Sequence, residues 1–304
     1  MQRILTIAFL ALLGLQLSGC AAQKKNKKNQ PPPSAKADTT KKAAVGPPGQ
    51  PKPYSEVITS KAITSKGLFA VHKIDDKYFF EIPDEIFERD ILVVARLSKA
   101  AAGFRTGASY AGDQINSNTI RFEKGPNNRV YLKRMSFQEV GRDSTEGMYR
   151  NVMNSNIQPI GASFEVKAWA PDKKGAVIEV TDYINGDNEY FFFSPVVKKV
   201  LGIGAIQSDK SYILNARTYP TNLEIKTVKT YTYTPVAQPG TPPNPYAVST
   251  PLTFELNTSL VLLPKVPMQP RFFDDRVGYF TTQNITDFDV NPQGIDRYRY
   301  IARY

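Results

Sequence analysis

From residue 54 onward, apolar positions recur in short alternating or continuous runs cut by Gly, Pro, Asn and Asp, a pattern of strands and turns rather than helices. Residues 67–74 and 77–82 form a hairpin across Asp75 and Asp76. Pro83 stops the second strand, and Asp84 caps a short helical turn through Phe87. The run 90–97 places Ile91, Leu92, Val93 and Val94 in succession, as in a strand buried on both faces. Further hairpins are expected over 119–134, across Gly125 to Asn128, and over 162–181, across Pro171 to Gly175. The clearest amphipathic strand lies near 252–262, where Leu252, Phe254, Leu256, Leu260 and Leu262 share one face and Glu255, Asn257 and Ser259 the other. Strands are also expected at 190–193, 222–233 and 297–304, with short helices at 145–153 and 195–201.

The predicted fold class is mainly β, an antiparallel sandwich or barrel-like body with a few short helices. The Gly-, Ala-, Ser- and Asn-rich stretch 100–118 reads as a loop dividing a small N-terminal β subdomain, 54–100, from a main β-rich domain, 101–304. The strand over 297–304 has nothing after it to cover its edge, so the natural polypeptide is expected to continue past Tyr304.

The first 53 residues follow another logic. Arg3 precedes an apolar run from 4 to 15, too short to span a bilayer, and Leu17, Ser18, Gly19 and Cys20 follow in the order of a lipobox. Residues 1–19 are therefore expected to be a lipoprotein signal peptide, with Cys20 carrying the lipid. A thiol is the nucleophile that accepts diacylglycerol, and the acyl chains anchor the protein in a membrane. Ala21 after that cysteine favours the outer membrane of a bacterial cell envelope. Cys20 is the sole cysteine in the chain, so the exported body folds without disulfides.

The net charge of +11 needs to be located before it suggests a partner. Most of it is concentrated in the segment 20–53, where lysines face a lone acid, Asp38, so the body keeps only a small positive excess. That Lys- and Pro-rich segment has too little apolar surface to fold and reads as a disordered tether. Nucleic acid is not an expected partner.

Candidate chemistry is sparse. His72 is the lone histidine, and neither HExxH nor GxSxG occurs, so no catalytic residue and no metal ligand set is assigned. Asp182, Asn185, Asp187 and Glu189 form an acid- and amide-rich loop that could offer oxygens to calcium, although a simple turn is the plainer reading. Gly202 and Gly204 lack the third glycine of a dinucleotide fingerprint, and a glycine there ends the preceding helix. Trp169, Phe79, Phe80 and the aromatics 191–193 could stack on a glycan, but core packing is the favoured reading.

Several stretches together resemble a family of bacterial cell-envelope zinc metalloproteases of the metzincin-like type: KGLFAVHKIDDKYFFEIPDEIFERDILVVARLSK, SPVVKKVLGIGAIQSDKSY, YPTNLEIKTVKTYTY, SLVLLPKVPMQPRFFDDRVGYFT and DRYRYIARY. The resemblance implies a noncatalytic N-terminal region, conventionally two adjoining domains of unassigned function, ahead of a peptidase domain with HExxH. Zinc is then expected only in that peptidase domain and no cofactor in this chain. The peptidase, in cis or as a separate chain, becomes the expected partner, with a peptide as its substrate. Phe272, Phe273, Asp274, Asp275, Arg276, Tyr279, Phe280, Tyr298 and Tyr300 are the expected contacts to it. Alternatives are a surface lipoprotein that binds glycan or peptide, and a structural envelope protein.

Overall fold

The computed structural model describes residues 50–302, apart from 106–108, 142, 144, 146, 237–239, 241, 243–247, 289–290 and 292–293. Cys20, the signal peptide and nearly all of the tether lie outside the described residues. The strand expected to be buried on both faces buries one: in β4 (Ile91–Lys99), Ile91, Val93, Ala95 and Leu97 are buried, Leu92 and Val94 are half-buried and Arg96 faces out.

The chain adds β1 (Ile63–Ser65), β2 (Ala70–Ile74) and β3 (Lys77–Pro83) before it. After it come β5 (Gln114–Gly125), β6 (Arg129–Arg134), β7 (Glu139–Val140), β8 (Ile160–Trp169) and β9 (Gly175–Glu179). Then follow β10 (Ile203–Ile206), β11 (Tyr212–Thr218), β12 (Asn222–Tyr233), β13 (Thr250–Leu262), β14 (Ile285–Asp287) and β15 (Asp296–Tyr298). The helices are short: α1 (Tyr54–Val57), α2 (Gly147–Ser155), α3 (Thr181–Asn185) and α4 (Pro195–Leu201).

Twelve strands form one sheet in the order β1-β2-β3-β9-β8-β6-β5-β4-β13-β12-β10, with β11 also paired to β12. Every pairing in it is antiparallel. The sheet curls until it is nearly closed. At the seam, Leu68 N–H donates to the Tyr219 carbonyl at 2.6 Å and Thr218 N–H donates to Ser65 Oγ at 3.2 Å. Gly67 permits this approach, because a Cβ there would sit 2.5 Å from the Tyr219 carbonyl oxygen.

The loop expected over 100–118 is shorter than its composition suggests, since β5 begins at Gln114. Strands β4 and β5 on its two sides pair with each other, so residues before and after the loop contribute to one sheet and one apolar core. Helix α4 has the caps that its sequence requires: Ser194 Oγ accepts from Val197 N–H, and Gly202 closes the helix at φ +69.

The aromatic segment expected as a strand at 190–193 is not one. Asn188 turns it, its side-chain oxygen accepting from Tyr190 N–H and Phe191 N–H at 3.2 and 2.8 Å. Phe191, Phe192 and Phe193 then enter the core, essentially without exposure. Phe79 and Phe80 are buried as well, so these rings are packing residues and form no surface for a glycan. A second, three-stranded sheet, β15-β14-β7, joins residues 285–298 to β7 at residues 139–140.

Candidate functional site

The C-terminal stretch 263–302 supplies most of the side chains expected to contact a partner. Its extended pieces are laced around residues 299–302. Phe273 N–H donates to Arg299 O and Ile301 N–H to Arg271 O, both at 2.9 Å, while Thr282 N–H and Ala302 N–H bond across the other side. Phe272 and Tyr300 are bridge partners, and with Tyr298 their rings form a triangle with centroids 5.1 to 5.4 Å apart. Such edge and tilted contacts suit the ring quadrupole. The Tyr298 hydroxyl donates to the buried Asp287 carboxylate at 2.8 Å, fixing one corner.

Neighbouring residues alternate to other surroundings. The Arg299 guanidinium lies over the Phe273 ring at 4.3 Å and donates to Asp275 at 3.3 Å. Asp274 and Arg276 pair within the following turn, Nη2 to Oδ2 at 2.6 Å, and this holds the Asp274 carboxyl below the usual carboxylate range. Both are well exposed, so the pair shapes the turn more than it stabilises the fold. Beside these charges the stretch leaves apolar side chains to solvent: Val266, Met268, Phe272, Val277, Tyr279 and Phe280 are between 45% and 84% exposed.

In the loop considered for calcium, lysines approach Asp187 and the main chain. Asp187 accepts from the Lys198 ammonium through Oδ2 and from the Tyr231 hydroxyl through Oδ1 at 3.2 Å. Asp182 lies in α3, the Asn185 main-chain oxygen accepts from Lys229, and the Glu189 main-chain oxygen accepts from Asn118 at 3.1 Å. Among the described residues, no group of three or more His, Cys, Asp or Glu side chains is arranged to hold a metal.

Lys229 is the residue in this region that sequence reasoning missed. It is fully buried, with its ammonium donating to the carbonyls of Ile184, Asn185 and Gly186 at the C-terminal end of α3 and lying 4.4 Å from the Phe192 ring centroid. Burial pulls its pKa down to about 7, with Asp187 opposing. Alternation in β12 over Leu223, Ile225, Thr227, Lys229 and Tyr231, broken only at buried Thr230, was the available signal.

His72 is also buried, inside a polar chain that joins four segments. Thr64 Oγ1 lies 2.8 Å from its Nδ1, its Nε2 lies 2.9 Å from Glu81 Oε2, and the Tyr54 hydroxyl donates to the same oxygen at 2.7 Å. The hydrogen bond from His72 holds the Glu81 carboxyl below its ordinary range, against the effect of burial. Burial, and then the Glu81 carboxylate, push the Tyr54 phenol up. Cross-strand register explains the grouping: Thr64 faces His72 across β1 and β2, and Glu81 stands diagonally across on β3. The network fastens the three-residue edge strand β1 and the helix α1 to the sheet.

Comparison with protein families gives two matches. Residues 112–304 match the domain of unknown function DUF5117, and residues 51–100 match the domain of unknown function DUF5118. No curated protein and no solved structure matches the chain. No helix among the described residues is long and apolar enough to cross a membrane.

Proposed function

The chain belongs to the DUF5117 family, and we propose that it is a noncatalytic accessory region of an exported, lipid-anchored zinc metalloprotease. In this reading the body docks a peptidase domain, in cis or as a separate chain, and shapes or shields its cleft. The exposed apolar segment 266–280 carries the reading, because Val266, Met268, Phe272, Val277, Tyr279 and Phe280 come to the surface together in one short stretch. The aromatic triangle of Phe272, Tyr298 and Tyr300 gives that face a rigid base, as an interface anchor requires.

In this division of labour, the peptidase supplies the zinc ligands, the activated water and the general base. This chain supplies surface. Lipid on Cys20 and the lysine-rich tether place the assembly at a membrane, with the outer membrane the preferred site.

The test is to mix the purified chain with the HExxH peptidase domain and read both association and peptide hydrolysis. Complex formation with a changed rate of hydrolysis supports the role. The double change Phe272→Ser and Phe280→Ser should then weaken association by roughly tenfold or more, as loss of central aromatic anchors does. Failure of the unaltered chain either to associate or to change the rate removes the proposal.

A further inference from the structure

The outward face of the main sheet carries a polar groove of about 470 Å³ that takes no part in the docking face. Two successive cross-strand rungs build it. Asn215, Lys226, Asn257 and Arg96 stand side by side on β11, β12, β13 and β4, and Arg217, Glu224 and Ser259 occupy the neighbouring rung on β11, β12 and β13. Positions two apart on a strand share a face, so both rungs project to the same side.

The charges on this face are not matched to each other. Glu224 is the lone carboxylate lining the groove, and its oxygens are taken by neutral donors: the Asn222 and Asn257 amides, both at 2.7 Å, and the Ser259 hydroxyl at 2.6 Å. Arg96 donates to the Gly112 carbonyl at 3.2 Å. Among the described residues, no ion pair joins Arg96, Arg217 or Lys226 to an acid. Three cations against one carboxylate in a concave site leave an excess of positive charge that attracts an anion.

The remaining groups narrow the anion. Asn215 and Ser98 add neutral polar groups, and half-exposed Tyr219 borders the groove. A bare inorganic anion would leave the tyrosine unused. A sugar acid also brings hydroxyls for the Asn215 amide and the Ser98 hydroxyl and a ring face for the tyrosine. We propose that this groove binds an acidic oligosaccharide, its carboxylate or sulfate set against Arg96, Arg217 and Lys226 and its hydroxyls against Asn215 and Ser98. The site stands independently of the docking reading, since it needs no peptidase.

Calorimetric titration of the full chain with hexagalacturonate, a chondroitin sulfate hexasaccharide, neutral maltohexaose and hexaglutamate tests it. Saturable binding of at least one acidic sugar is expected, with no maltohexaose binding and weaker hexaglutamate binding. Arg217→Gln together with Lys226→Gln should lower the acidic-sugar affinity by roughly tenfold or more while leaving Tm unchanged, because exposed charges contribute little to the fold. Three results would each overturn the proposal: neither acidic sugar saturating the chain at millimolar concentration, hexaglutamate binding as tightly as the sugars, or the double variant binding as well as the parent.

Discussion

Lys229 donates its ammonium to the main-chain carbonyl of Asn185 across 2.7 Å, from the inward face of β12 to the end of α3. The segment that follows α3 reaches residue 193 without forming a strand, so its backbone groups, like the last carbonyls of α3, have no ladder to join. Side chains from the sheet replace that ladder. Lys229 takes three carbonyls, the Thr258 hydroxyl donates to Phe191 O at 2.6 Å, and the Asn116 and Asn118 amides bond to Phe192 O and Tyr190 O.

Lys229→Met keeps the apolar stem and removes the donors. Each of the three acceptors left without a partner costs about 1–3 kcal/mol, and losing the ammonium's desolvation cost offsets part of this, so a net destabilisation of roughly 2–4 kcal/mol is expected. Its sign with pH is distinctive. Below about pH 7 both folded and unfolded chains hold the lysine proton, and the burial penalty is felt in full. Between about pH 7 and the ordinary lysine range, only the unfolded chain keeps the proton, so this group's contribution to stability rises with pH. Urea unfolding at about pH 7 and pH 9 should show that rise in the parent and a flatter response in the variant.

Gly67 sits at the seam that nearly closes the sheet, where an added methyl would meet the Tyr219 backbone at 2.5 Å. Gly67→Ala should therefore destabilise the fold by about 1–3 kcal/mol, as forced overpacking does, and speed hydrogen exchange at the Leu68 amide. Gly147→Ala is the control: a methyl there meets nothing within 4 Å and lies in a helix, so Tm should hold or rise slightly.

The Glu81 carboxyl is held below its ordinary range in the fold, first by His72. A depressed carboxyl contributes stability that is complete above its unfolded pKa and lost as pH falls through the folded one. Glu81→Gln should lower Tm at neutral pH, and the difference from the parent should close as the solution is acidified. Thermal scans from about pH 7 down to pH 3 read this directly.

The strands were legible wherever burial alternated. Residues 222–233 and 252–262 show it plainly, because one face of each packs on the core. The segment 190–193 was not legible, since three consecutive phenylalanines satisfy a strand pattern and a buried turn equally well, and only the Asn188 side chain decides between them. Strands β10 and β11 escaped notice because their burial is too irregular to show period two. The polar groove was invisible for a different reason: Arg96 and Asn257 become neighbours only through the pairing of β4 with β13, which no local pattern specifies.

Site-specific photocrosslinking tests the docking account most directly. Benzoylphenylalanine placed at position 280, the most exposed aromatic of the segment, reports whatever lies against that face in intact membranes. The expected result is an adduct, within one chain or between two, to a polypeptide carrying HExxH, identified by mass spectrometry. Efficient incorporation with no adduct, or adducts only to polypeptides without that motif, would contradict the account.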